Sequence, residues 1–295
     1  MTASTSDAGP DASARRTPGL VGGLRLDAVP WWAVILIATA LVLTYLIFSS
    51  QPYNETFRYL STGVIMTLRI TIVSYTIATI IGLITGLART SKNVVAYTLS
   101  TLYVEMVRGI PLIVLMLYVA FVVVPMLASG LRAVGEWAAP FAGGGPLAGL
   151  IAGLQAAQSR QISLEVRAIF ALALGYGAYE AEIFRAGIQS IGRGQMEAAR
   201  SVGMTYAQAM RYVILPQAIR RVLPPLGNDF IACLKDSSLA TVLAVNELTQ
   251  LGRLRRASTF RVFETFNVLT FLYLAMTLVL SALVRGLERK MKFEE

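Results

Sequence analysis

Histidine is absent from all 295 residues, and cysteine occurs once, at Cys233. The first absence removes a Ser-His-Asp triad, an HExxH zinc site and a histidine proton relay. The second removes an internal disulfide and a cysteine-based metal site. No GxxxxGK(S/T) stretch occurs, so the chain has no P-loop with which to bind ATP. Charge is also scarce. Asp, Glu, Lys and Arg make up 15% of the residues, against about 25% in soluble domains, while 55% are hydrophobic and the mean hydropathy is +0.61. That balance points into a bilayer. The net charge of +9 and pI near 9.9 invite a nucleic-acid reading. No basic stripe interleaved with aromatics stands outside the hydrophobic framework, so nucleic acid is not expected as a partner. In a membrane protein, Lys and Arg anchor the cytoplasmic side.

Residues 1–30 are mostly Ala, Ser, Thr, Gly and Pro with a few balanced charges. They bury too little to order themselves and read as a disordered cytoplasmic tail. The apolar run 31–49 is too long for a signal-peptide core and has no A-x-A site after it. It reads as a transmembrane anchor, with Trp31, Trp32 and Tyr45 near its ends at headgroup level. A second span covers roughly Ser61–Leu87, with a GxxxG at Gly82 and Gly86 that lets another helix approach closely. A third, about Tyr97–Val124, is expected to kink at Pro111. Residues 125–163, with Pro125 and a Gly-rich run at 143–146, read as a loop holding a short amphipathic helix; 147–157 alone is too short to cross about 30 Å. Further spans are expected at about Leu164–Gly187, Val222–Val245 and Val262–Val284. The fifth carries Asp229, Lys235 and Asp236 and is ambiguous by hydropathy. Six spans put both termini inside and the 246–261 loop outside, although that loop carries Arg253, Arg255, Arg256 and Arg261 against Glu247. Moving it inside would expel the basic C-tail, so the charge rule does not settle the topology.

The most polar internal segment, about 188–218, reads Glu197-Ala198-Ala199, three residues, Gly203, nine residues, then Val213-Ile214-Leu215-Pro216. Local physics predicts a helix-turn-helix. Gly203 can take the left-handed conformation that closes the first helix, and Thr205 to Gln208 is a capping box that opens the second. Pro216 is expected to end that second helix. Ala198 and Ala199 leave a smooth face for close packing by another protein.

This segment resembles the cytoplasmic signature EAA-x3-G-x9-I-x-LP of permeases of bacterial ATP-binding-cassette importers, with Val213 at the usual Ile. Thr67-Leu68-Arg69, the stretch Glu105–Pro111, Leu215-Pro216-Gln217-Ala218 and Lys235-Asp236-Ser237-Ser238-Leu239 resemble the polar amino acid group, which includes histidine, glutamine, arginine and opine permeases. The likeness covers about 61–290. It implies an all-α integral membrane fold: a five-helix type I permease core, here with one extra N-terminal transmembrane helix. It also implies a permease subunit in the bacterial plasma (inner) membrane that is not an enzyme by itself. ATP and Mg would be bound by a separate ATPase subunit, and this chain would hold no cofactor. Further partners implied are an extracytoplasmic solute-binding protein, a second permease copy or sister permease, the amino acid substrate and membrane lipid. Glu197, Ala198, Ala199, Gly203 and Pro216 are then the ATPase-coupling residues. Asn228, Asp229, Lys235, Asp236 and Ser237 are expected along the substrate pathway, because three charges in one span cost about 2.5–3.5 kcal/mol each and need a reason. Pairing within the bundle is the alternative for them. Glu105 and Arg108, three apart, are expected to pair with each other or to shape the pore.

Two other classes compete. A secondary transporter would also place charge at mid-membrane, but no inverted repeat is visible. An intramembrane enzyme would need Lys235 with Ser237 or Ser238, or Asp229 with Asp236. Neighbours two apart do not meet on a helix, and seven residues place two carboxylates about 10 Å apart.

Overall fold

The computed structural model describes residues 20–21, 24–25, 31–141 and 147–291. The expected tail falls mostly outside these residues, as do the Gly-rich run 143–146 and the last four residues. Of the tail, Leu20–Val21 (β1) and Leu24–Arg25 (β2) form a two-residue antiparallel ladder. The other regular elements among the described residues are helices. Six helices of 19 residues or more occur among the described residues: α1, Trp31–Ser49; α2, Gln51–Ala88; α4, Leu112–Phe141; α6, Leu164–Gln189; α9, Leu215–Asp236; and α11, Val262–Met291. Shorter helices lie between them: α3, Val94–Arg108; α5, Leu147–Gln155; α7, Arg193–Ser201; α8, Tyr206–Ala209; and α10, Leu248–Thr259. Of all these, α2, α4 and α11 are both long and apolar enough to cross a membrane; α6 and α9 reach that length but carry charge.

Helix α2 is the axis of the fold. It packs along α6, and α1, α10 and α11 also lie against it. At Gly82 an added Cβ would sit 2.7 Å from the Cβ of Glu180, and at Gly86 it would sit 2.8 Å from the Cβ of Phe184. The GxxxG is therefore a helix contact, as the spacing predicts. Gly177 reciprocates from α6, where an added Cβ would meet Ile81 at 2.8 Å. Around this seam the main core gathers Ile70 and Ala78 of α2, Met116 and Val119 of α4, Leu172 and Tyr176 of α6 and Cys233 of α9. A smaller core joins Ile47, Leu60, Leu248, Val268 and Leu272.

Several boundaries differ from the sequence reading, and proline explains most of them. Pro111 breaks the third segment instead of kinking it. Helix α3 ends at Arg108, and Pro111 stands extended (φ −56°, ψ 136°) as the cap of α4. With 15 residues, α3 spans about 22 Å and is too short to cross. Conversely, Pro125 and Pro216 do not interrupt their helices. Each lies two residues beyond a π turn, Val119–Val123 and Met210–Ile214 respectively. A wider turn makes room for the pyrrolidine ring, so α4 runs on to Phe141 where a loop was expected, and the helix opened at Tyr206 continues into α9. In the first case the N–H of Val124 goes to the Val119 carbonyl, and Pro125 has none to offer Ala120. The buried Arg167 fills that gap, donating to the Ala120 carbonyl at 2.8 Å.

The fifth segment starts earlier and ends sooner than expected, at Asp236. A 3-10 stretch, Ser237–Leu243, follows, then Ala244 in the left-handed region (φ 55°). The 246–261 stretch is mostly helix. Glu247 is buried there and caps α10, accepting from the N–H of Thr249 and of Gln250, both at 2.8 Å, and from the Tyr273 hydroxyl at 3.0 Å. Burial pushes its carboxyl up to about 6 against the pull of those bonds. Arg255 and Arg261 reach Glu55 at the start of α2, 3.3 and 2.9 Å away. Residues 248–261 therefore occupy the end of the bundle opposite Arg89.

The seam sets a clear expectation. Replacing Gly82 with Leu forces α2 and α6 apart and should destabilise the fold by about 1–3 kcal/mol or more, as core overpacking does. Thermal unfolding of the purified protein should show the loss, while Gly149→Ala, at a glycine with nothing within 4 Å of an added Cβ, should leave the unfolding temperature nearly unchanged.

Candidate functional site: a capped hairpin and a polar seam

The EAA segment forms the expected hairpin. Helix α7 ends in a Schellman arrangement: Met204 N–H bonds the Ala199 carbonyl (3.2 Å) and Gly203 N–H the Arg200 carbonyl (3.1 Å), with Gly203 at φ +86°. The capping box is complete. Gln208 N–H donates to the Thr205 hydroxyl, and the Gln208 side chain accepts from Thr205 N–H at 2.9 Å. Ile191, Ile214 and Ala218 pack beneath with Ile188, Met196 and Val213, seating the hairpin on the ends of α6 and α9. Arg221 ties the two ends together by donating to the Ser190 carbonyl.

Of the coupling residues, Ala199 is buried beneath the turn, whereas Glu197, Ala198, Gly203 and Pro216 are exposed. Around them the hairpin shows apolar side chains to the outside: Val202 is 74% exposed, Tyr206 60% and Tyr212 64%. This exposed surface stands on the capped turn and the apolar contacts beneath it.

The second constellation lies along the α6–α9 contact. Asp236 accepts from the Tyr176 hydroxyl at 2.7 Å. Tyr176 meets Tyr75 edge-on with centroids 6.4 Å apart, and Tyr75 packs on Phe230 at 4.9 Å. Tyr75 donates to the Leu226 carbonyl, directly after Pro224-Pro225, which remove two donors from the α9 ladder. Asp229 is half-buried, one heptad before Asp236. The other pathway residues do not join them. Asn228 and Lys235 are exposed, and Ser237 is buried with its hydroxyl spent on the Leu234 carbonyl at 2.7 Å. Glu180 belongs to the same neighbourhood but is not among the residues expected along the pathway. It is fully buried against Gly82, and among the described residues neither carboxylate oxygen has a partner in hydrogen-bond geometry. Its spacing from Tyr176, one helical turn, was the available signal.

Glu105 and Arg108 do not pair with each other. Glu182 gathers the cations at this end: Arg89, Arg185 at 2.7 Å and Arg108 at 3.5 Å, while Glu105 reaches Arg89 at 3.5 Å. Arg108 also lies over the Tyr179 ring, 5.5 Å from its centroid. The network joins the end of α2, the end of α3 and the last turns of α6, beside the hairpin.

Residues 78–293 match the family described as binding-protein-dependent transport system inner membrane component. The chain belongs to this family. Among its relatives, the glutamine transport system permease protein GlnP of Escherichia coli K12 is 36% identical over 78% of this chain and 91% of its own length. The nopaline transport system permease protein NocM of Agrobacterium fabrum is 34% identical over 79% and 88%. Among solved structures, an amino acid ABC transporter crystallised with histidines superposes with a TM-score of 0.63 at 36% identity, covering 79% of this chain and 94% of that one. A methionine ABC transporter, MetNI, shares the fold at a TM-score of 0.57 and 23% identity. The family match contains the hairpin, the Glu182 network and the Tyr176–Asp236 contact. This is a multi-pass membrane component of a transport system with the type I permease fold.

Proposed function

We propose that this chain is one membrane-spanning half of an ATP-driven importer that carries polar amino acids into the cell, with a second copy or a sister permease as the other half. The observation that carries this reading is the hairpin, which presents an uncovered apolar and small-residue surface at one end of a transport-family fold. An ABC ATPase subunit docks there and binds the ATP and Mg; a solute-binding protein delivers substrate at the other end, near α10. Both termini are then cytoplasmic. The relatives' names support an amino acid substrate, and the polar seam along α9 supplies acceptors for an ammonium group.

At Gly203 a side chain meets no neighbour within 4 Å, so Gly203→Val costs only backbone strain, about 1–2 kcal/mol, concentrated in the turn. Membrane insertion should persist, while ATPase co-purification and uptake are lost. Normal uptake together with normal co-purification would remove the hairpin from the mechanism.

The pathway assignment separates from a structural role through neutral isosteres. Losing a charge-assisted hydrogen bond is worth about 1.5–3 kcal/mol, so Asp229→Asn or Asp236→Asn should shift the preference between cationic and neutral amino acids roughly 10- to 100-fold in assembled complex. An unchanged preference order in both variants rejects the assignment.

Topology is read by labelling single cysteines in a Cys233→Ser background. An impermeant maleimide added outside should reach a cysteine at the exposed position 256 and not one at 289; the reverse pattern overturns the orientation.

A further inference from the structure

A cavity of about 320 Å³ opens between α4, the linker 156–162 and the start of α6. Its wall is almost wholly apolar: Val124, Leu127 and Leu131 on one side, Ile162, Val166 and Phe170 on the other. It adjoins a second cavity of about 270 Å³, with which it shares Ala128, Ala157 and Gln158, and whose rim is polar and carries Arg132 and Arg160.

The depth of the pair follows from α4. Residues 112–131 hold no charge, and twenty helical residues rise about 30 Å, the thickness of the hydrocarbon layer. Arg132 is the first charge after that run and so falls at the headgroup boundary, with the apolar cavity just beneath it. Both arginines are exposed. Arg132 has one acidic neighbour, Glu136 at 2.8 Å, and Arg160 bonds the neutral Gln158 at 2.6 Å. The rim thus holds two cations against one carboxylate.

The site is also built rather than incidental. Arg167 bonds the Ser159 carbonyl and the Ile162 carbonyl (3.1 Å), fastening the linker to α6. At the linker's other end, Gly135 lets α5 approach α4 so closely that an added Cβ would sit 2.7 Å from the Gln155 nitrogen.

We propose that these two cavities form a binding site for an anionic glycerophospholipid, with one acyl chain in the apolar chamber and the phosphate between Arg132 and Arg160. A guanidinium pair offers a phosphate charge-assisted hydrogen bonds, and the apolar chamber beneath takes an acyl chain. Neither the hairpin nor the polar seam contributes to it, so it stands apart from the transport reading.

The test uses the full chain in its assembled complex, incorporated in nanodiscs containing equal phosphatidylglycerol and phosphatidylcholine, with retained lipid counted by native mass spectrometry after detergent release. Retained phosphatidylglycerol should exceed phosphatidylcholine at least tenfold in the natural protein. Arg132→Ala with Arg160→Ala should abolish that excess, and Arg132→Lys with Arg160→Lys should keep most of it, since a lysine serves phosphate as a point charge. Ala157→Phe, which fills the shared wall while keeping both charges, should also remove it. Equal retention of the two lipids by the natural protein overturns the proposal, as does an excess that survives the double alanine change or the filled cavity.

Discussion

The close approach of α2 and α6 is the constraint on which the other features rest. Lipid tails are as apolar as leucine, so helices in a bilayer gain little from hiding hydrophobic surface and associate through packing and polar contacts. Gly82 and Gly86 on one side and Gly177 on the other bring the backbones near enough for that packing. The consequences run along the seam in both directions. At one end Arg89, in the turn after α2, meets Glu182 on α6; further in, Tyr75 meets Tyr176 and through it the Asp236 carboxylate of α9. A side chain at Gly82 would press on Glu180 and Ala181 and so push apart the two helices that these contacts join.

Proline supplies the second theme. In hydrocarbon an unpaired carbonyl costs several kcal/mol, yet this chain keeps prolines inside its long helices. The π turns before Pro125 and Pro216 absorb the ring, and the remaining debt is met locally. The Ala120 carbonyl takes a donor from Arg167, whereas the equivalent position at the hairpin, Arg211, is exposed. The same guanidinium then fastens the linker ahead of α6. One buried cation so satisfies the carbonyl that Pro125 leaves open and holds the linker ahead of α6.

What the sequence made legible was local in origin. The Schellman turn at Gly203 and the capping box at Thr205 involve residues within five positions of one another, and both form as the sequence predicts. The glycine contact at 82 and 86 was readable as a tendency to pack, though not its partner. The errors have a common cause as well. Pro125 and Pro216 looked like breaks because a proline's effect depends on whether the preceding turn can widen. Glu105 and Arg108 looked like a pair because helical spacing brings them together, but α2 and α6 offered stronger partners. Tyr176 and Asp236 are 60 positions apart, and no pattern in either helix announces their bond. The uncharged run from Leu112 was visible throughout. Its length acquires meaning only when α4 is seen to continue to Arg132 and beyond.

The placement of the hairpin follows from the same geometry. Helix α7 follows α6 directly, α8 leads through a π turn into α9, and the Arg221–Ser190 bond closes the loop between them. A partner pressing on Val202 and Tyr206 therefore acts on α6 and α9 together. These are the two helices that hold Tyr176 and Asp236. On the other side of α6, the Glu182 network fastens the same end to α2 and α3. Movement of α6 relative to α2 would have to shear the glycine seam, where backbone contacts leave little slack, whereas α9 lacks two backbone donors at Pro224 and Pro225. Under the proposed coupling, the yielding element is thus α9, bending at its proline pair, with α2 and α6 moving as one body. Under that proposal the proline pair lies between the proposed docking surface of the hairpin and the residues of the proposed pathway, Asn228 to Asp236.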